Sequence, residues 1–242
     1  MARKKPIKYK VEDLISEYNE DLYKEVSAKI DIVLKQQKGS WSAHIDKDGV
    51  AIIGYCKSEY PDAAFAHELL HIKAELQGLK DPYVRSNEPD IDWSLIRFFI
   101  NQLAHHRIYS EFYDLGFSED EFLHDNDFIE TRNLLKKDVP MIENIHKKLG
   151  EQLDGFAILL PYLVCISPNE ISDEIKLYKD RIINIANPNF INEIDEIISE
   201  WRTSNRMDYC LTLARIFKAC NKLKISFAPV TDDKNEISAA DV

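Results

Sequence analysis

The chain has 242 residues and a mass of 28.1 kDa, with 45% hydrophobic residues, 30% charged residues and a formal net charge of −11. This is the composition of a soluble globular protein, long enough to bury a core without disulfide or metal staples. Its 7 glycines cannot supply a G-x-G-x-x-G turn, a G-x-S-x-G elbow or a phosphate-cradling G-x-x-x-x-G-K-[ST] loop, and its acidic balance argues against general nucleic-acid binding.

The first ten residues hold Arg3, Lys4, Lys5, Lys8 and Lys10. They read as a solvated tail, with a basic arm for nucleic acid or another anionic partner as the lesser reading. Val11, Leu14, Ile15, Tyr18, Leu22, Val26, Ile30 and Val33 recur at helical spacing. That spacing predicts one long helix or two short ones over residues 11–37. The period then changes. Trp41 to Ile45 and Val50 to Tyr55 read as strands around Asp46-Lys47-Asp48-Gly49, a strong hairpin signal. Pro61 and Asp62 open a helix that Gly78 can end.

Breaker pairs at Asp81-Pro82, Ser86-Asn87 and Glu88-Pro89 predict a loop over 79–90. A second long helix is expected over about 91–115, stopping at Gly116. Ser118 and Glu121 form a capping box for a short helix. From 126 onward the pattern is helical, punctuated by Pro140, Pro161, Pro168 and Pro188. Ile225 to Val230 reads as a late strand, and 231–242 as a frayed tail. The longest apolar run, Phe156 to Ile166, is about half the ~20 residues of a membrane span. The charged N-terminus does not read as a signal peptide. Cys56, Cys165, Cys210 and Cys220 lack C-x-x-C spacing. Buried free thiols in a reduced, cytoplasmic protein are therefore expected, with no membrane partner.

Residues 67–71 read His67-Glu68-Leu69-Leu70-His71, an H-E-x-x-H motif inside the predicted helix. Positions i and i+4 stand one turn apart on one helix face, so both imidazoles can reach one zinc ion. Glu68 follows the first ligand and can act as general base on a water that the metal acidifies. Ala64 and Ala74 share the histidine face and leave room for an ion. The spacing H-E-x-x-H-x-x-G-x-x-H is absent, because positions 74 and 77 hold Ala74 and Gln77. A third ligand must come from elsewhere, and the next long helix offers His105, His106 and Glu111. His106, Arg107, Tyr109 and Tyr113 are candidates for stabilising an oxyanion. His44, His124 and His146 read as surface or cap residues.

Ala66-His67-Glu68-Leu69-Leu70-His71, followed by Asn101-x-x-x-His105 and Leu115-Gly116-Phe117, resembles a group of bacterial zincin-like H-E-x-x-H metallopeptidases. The resemblance covers roughly residues 50–130. It implies His105 as third zinc ligand and Asn101 as a supporting residue. Where such proteins often carry an acidic residue before the histidine, this chain has Ala104, which keeps Glu111 in play.

These observations together predict an α+β, predominantly α-helical fold. A zincin-like core with a small β-sheet and an N-terminal helix would occupy 1–125, and a helical region packed on it would occupy 126–242. The 50–56 strand is expected to border a substrate groove. The expected activity is zinc-dependent peptide-bond hydrolysis, with Zn2+ on His67, His71 and His105, Glu68 as general base, and a peptide or protein as substrate. The alternative is a non-catalytic metal-binding regulatory or interaction module, such as a toxin–antitoxin or phage-defence component.

Overall fold

A computed structural model describes residues 8–87, 93–122, 125–150, 153–166, 173–205, 207–229 and 236–242. Arg3, Lys4, Lys5, His124 and Pro168 lie outside the described residues. The fold is mixed α+β and mostly helical. It divides into two compact units, one of residues 1–77 and 108–130, the other of 78–107 and 131–242. The segment 78–107 thus groups with the C-terminal residues.

The first unit begins with a 3-10 turn, Val11–Asp13, and helix α1, Glu20–Ser27. Fully buried Asn19 ties this region to the backbone at Asp62. Its Oδ1 accepts the Ser16 N–H at 2.9 Å, and its Nδ2 donates to the carbonyls of Leu14 at 2.9 Å and Asp62 at 3.0 Å. Three strands come next in the chain: β1 (Ile32–Gln36), β2 (Ser42–Ile45) and β3 (Ala51–Tyr55). The expected helix over 11–37 is therefore corrected at its end, where 32–36 form a strand. Val26, Ile30 and Val33 keep helical spacing, but their branched side chains lose rotamer freedom in a helix. Here Ile32 to Gln36 pair in parallel with Ala51 to Tyr55.

The β2–β3 hairpin is antiparallel, with Ser42 opposite Gly54 and Ile45 opposite Ala51. Asp46 closes its turn by accepting the N–H groups of Asp48 and Val50 on Oδ1, and Gly49 takes φ 75°, which a side chain rarely tolerates. The strand order is β1-β3-β2. The 50–56 strand is thus central and buried, and the edges are β1 and β2. A groove bordered directly by 50–56 is corrected accordingly.

Helix α2 (Pro61–Leu76) starts with Pro61 in its first turn, where a missing N–H costs nothing. It packs against α1 and β2. An unbroken run from Ala63 to Leu70 is buried, the signature of a helix enclosed on all sides. Its Glu75 accepts the outward N–H of Ile45 at 3.1 Å, which tethers β2 to the end of the helix. The unit is completed by the C-terminal turns of helix α3 (Trp93–Asp114), by Gly116 at φ 101° and by a short helix, α4 (Glu119–Phe122), which packs on α2. Ser118 and Glu121 form the expected cap, the carboxylate accepting from both the N–H and the hydroxyl of Ser118 at 2.7 Å.

The second unit contains β4 (Tyr83–Ser86), most of α3 (Trp93–Asp114), most of α5 (Asp125–Leu149), α6 (Gly155–Ile166), α7 (Asp173–Ile183), α8 (Pro188–Thr203), α9 (Cys210–Ala219), β5 (Ile225–Ala228) and β6 (Ile237–Ser238). The late strand is present. The segment read as a loop over 79–90 contains β4, paired antiparallel with β5. The tail is not frayed at its end, because β6 pairs with β5 and Ala239 is fully buried. Pro140 and Pro161 lie inside α5 and α6 rather than between helices. Pro188 opens α8 behind Asn187, whose side chain caps the Asn189 N–H at 2.9 Å. Phe99, Phe156, Phe217 and Phe227 meet ring to ring in the core. All four cysteines are thiols, and burial pushes the Cys210 thiol up to about 12. Among the described residues no helix is long and apolar enough to cross a membrane.

Candidate metal centre

The centre begins with one turn of α2. His67 and His71 extend along the same helix face, and their Nε2 atoms lie 3.0 Å apart. Two zinc ligands at ~2.0–2.1 Å in a tetrahedral set would sit about 3.4 Å apart, so an opening of roughly 0.4 Å accommodates an ion. His67 is buried, at 7% exposure. Its ring lies 4.5 Å from that of Phe122 and 6.3 Å from that of Phe112, centroid to centroid. Phe112 stacks on Phe117 and meets Phe122 edge-on, while Tyr109 also meets Phe122 edge-on. This aromatic wall fixes the His67 ring and keeps water from its side.

Helix α3 supplies the third imidazole. His105 is buried at 6% exposure, and the ligand nitrogens of His67, His71 and His105 all lie within 4.8 Å of one another. His105 stands two turns before Phe112 on the same unbroken helix, so the two share a face. From 4.8 Å to the ~3.4 Å of a tetrahedral pair is a closure of at most about 1.4 Å. Three imidazoles suit a borderline-soft divalent ion such as zinc. Burial holds the His71 imidazole down to about 4. It is therefore neutral at pH 7, the state that offers a lone pair to a metal.

The other two candidates on α3 are engaged elsewhere. The Glu111 carboxylate receives the Lys73 ammonium at 2.6 Å, and the same ammonium reaches Glu25 at 2.6 Å. This ion triad ties α1, α2 and the end of α3 together in the first unit. His106 points to α8, where its Nδ1 accepts from Arg202 Nε at 3.0 Å. Burial and then the Arg202 charge push its pKa down to about 3. Among the described residues, the cluster is made of the three histidines alone.

Other expected helpers separate in the same way. Arg107 donates to the Ser204 carbonyl and hydroxyl and lies over the Trp201 ring, 4.1 Å from its centroid, so it serves the end of α8. Asn101 is exposed, and its neighbour Gln102 is the buried amide. Tyr113 is exposed, as is His44 on β2. Ala64 and Ala74 are both buried with the histidine face. Glu68 is buried at 6% exposure, about 100° around α2 from His67. Phe112, Phe122 and Lys73 also shape the site; of these only Phe112 is signalled by the sequence, since it follows His105 by seven residues on one helix face. No protein-family model, curated protein or solved structure matches this chain.

Proposed function

We propose that this chain is a zinc-dependent metallopeptidase with a zincin-like core. His67, His71 and His105 would hold the metal, and Glu68 would act as general base. The observation that carries the reading is the gathering of three imidazoles from α2 and α3 within 4.8 Å, with a buried carboxylate beside the first of them. A set of three protein ligands leaves one position for water or substrate, whereas structural zinc sites normally close with four. Zinc, when bound, supplies Lewis acidity that makes water a competent nucleophile at neutral pH and polarises a carbonyl. The Glu68 carboxylate would take the proton of the attacking water and pass it to the departing amine. The aromatic wall of Phe112 and Phe122 keeps the surroundings of His67 low in dielectric, which strengthens such charge interactions.

The test is Glu68→Gln. The variant should keep its metal and lose turnover of a quenched-fluorescent peptide library by about 10²-fold or more. Undiminished cleavage would reject the role of Glu68. One observation favours the second reading, a metal-binding module without turnover: His67 and His105 are both nearly closed to solvent. A zinc-loaded chain in which small anions never perturb the metal's coordination would support that alternative.

A further inference from the structure

The turn of α3 that bears His105 is gripped from behind by the C-terminal turn of α8. Three contacts make the grip. The Trp201 indole N–H donates to the Leu103 carbonyl at 2.8 Å, Arg202 Nε donates to His106 Nδ1 at 3.0 Å, and the Arg107 guanidinium donates to Ser204. Trp201 is itself fixed. It is 1% exposed, Arg107 lies over its ring at 4.1 Å, and Tyr209 stacks on it at 5.2 Å. An interior helix carbonyl already accepts one backbone N–H, so the indole occupies the second lone pair of Leu103.

The angular arrangement gives this grip its meaning. At about 100° per residue, positions 103, 106 and 107 share one side of α3, and position 105 lies roughly opposite their mean. The clamped side and the ligand side are thus back to back. A side-chain tip on a helix of ~10–12 Å diameter moves by about 1 Å for each 10° of rotation, and functional groups need placement within ~0.5 Å. Packing of apolar side chains alone tolerates such a rotation more readily than the four directed hydrogen bonds of these contacts do.

We propose that Trp201, Arg202 and Ser204 are positioning residues for the metal centre: they lock the rotational phase of α3 and so present His105 to His67 and His71. This rests on the reading of His105 as a ligand. It adds that metal affinity is set in part by side chains of α8 that touch neither metal nor substrate.

The experiment uses the full chain and cobalt(II), whose visible spectrum reports its ligand set. Metal affinity is measured by chelator competition for the parent, Trp201→Phe, Arg202→Met, His105→Ala and the Trp201→Phe/His105→Ala double variant. Trp201→Phe removes the N–H and keeps a ring, and Arg202→Met removes one contact with little loss of packing. Each should weaken cobalt binding on the order of tenfold, with reduced tetrahedral absorption and an unchanged far-ultraviolet spectrum. If Trp201→Phe fails to fold, Arg202→Met alone decides. In the His105→Ala background, Trp201→Phe should cost nothing further, since the two changes act through one group. Parent-like affinity and absorption in both α8 variants would overturn the clamp while leaving the metal centre standing. Equal losses with and without His105 would also overturn it. A parent that binds no cobalt would instead remove the metal reading, and the clamp with it.

Discussion

Replacing His71 with Gln should flatten the acid sensitivity of the metal-free protein. Burial holds the His71 imidazole down to about 4, against 6.5 for an unperturbed histidine. Its folded pKa is depressed, so the folded chain resists a proton that the unfolded chain accepts. The contribution to stability is complete above the unfolded value of 6.5 and is lost as pH falls toward the folded value near 4. That gap corresponds to at most ~3 kcal/mol. The ring keeps some contact with solvent, so about 2 kcal/mol is the better expectation. Urea unfolding with a chelator present, at about pH 7.5 and pH 4.5, measures the loss in parent and His71→Gln. Carboxylates titrating over the same range cancel in the difference. The parent should lose about 2 kcal/mol more than the variant across this interval. Equal losses would refute the argument, because they would mean that His71 protonates as freely in the fold as in the unfolded chain.

Two further outcomes concern the first unit. Gly116→Ala should destabilise the chain by about 1–2 kcal/mol in thermal unfolding, because the residue has φ 101° and an added Cβ would lie 3.0 Å from the Tyr18 ring. Lys73→Met should cost about 1 kcal/mol, since Glu25 and Glu111 are both part-exposed and can rehydrate, and the deficit should shrink in high salt.

The features legible in the sequence are the local ones. His67, Glu68 and His71 declare their geometry through i, i+4 spacing, and Asp48-Gly49 declares the β2–β3 hairpin. The third imidazole could not be chosen that way, because His105, His106 and Glu111 all lie on α3 among apolar neighbours. The choice depends on partners distant in sequence: Arg202 occupies His106, and Lys73 occupies Glu111. The same limit governs the strands. Val26, Ile30 and Val33 keep helical spacing, and only the parallel pairing of Ile32–Gln36 with Ala51–Tyr55 overrides it. β4 lies between breaker pairs and is a strand only because β5, far along the chain, pairs with it. Phe122 carries no signal apart from hydrophobicity, although with Phe112 it walls the site beside His67.

X-ray absorption at the zinc edge of the zinc-loaded chain tests the central claim most directly. The account predicts one zinc per chain with three imidazole nitrogens at ~2.0–2.1 Å and one light oxygen donor, and loss of the imidazole signature in His71→Ala. A sulfur shell near ~2.3 Å, or a spectrum that His71→Ala leaves unchanged, would contradict it.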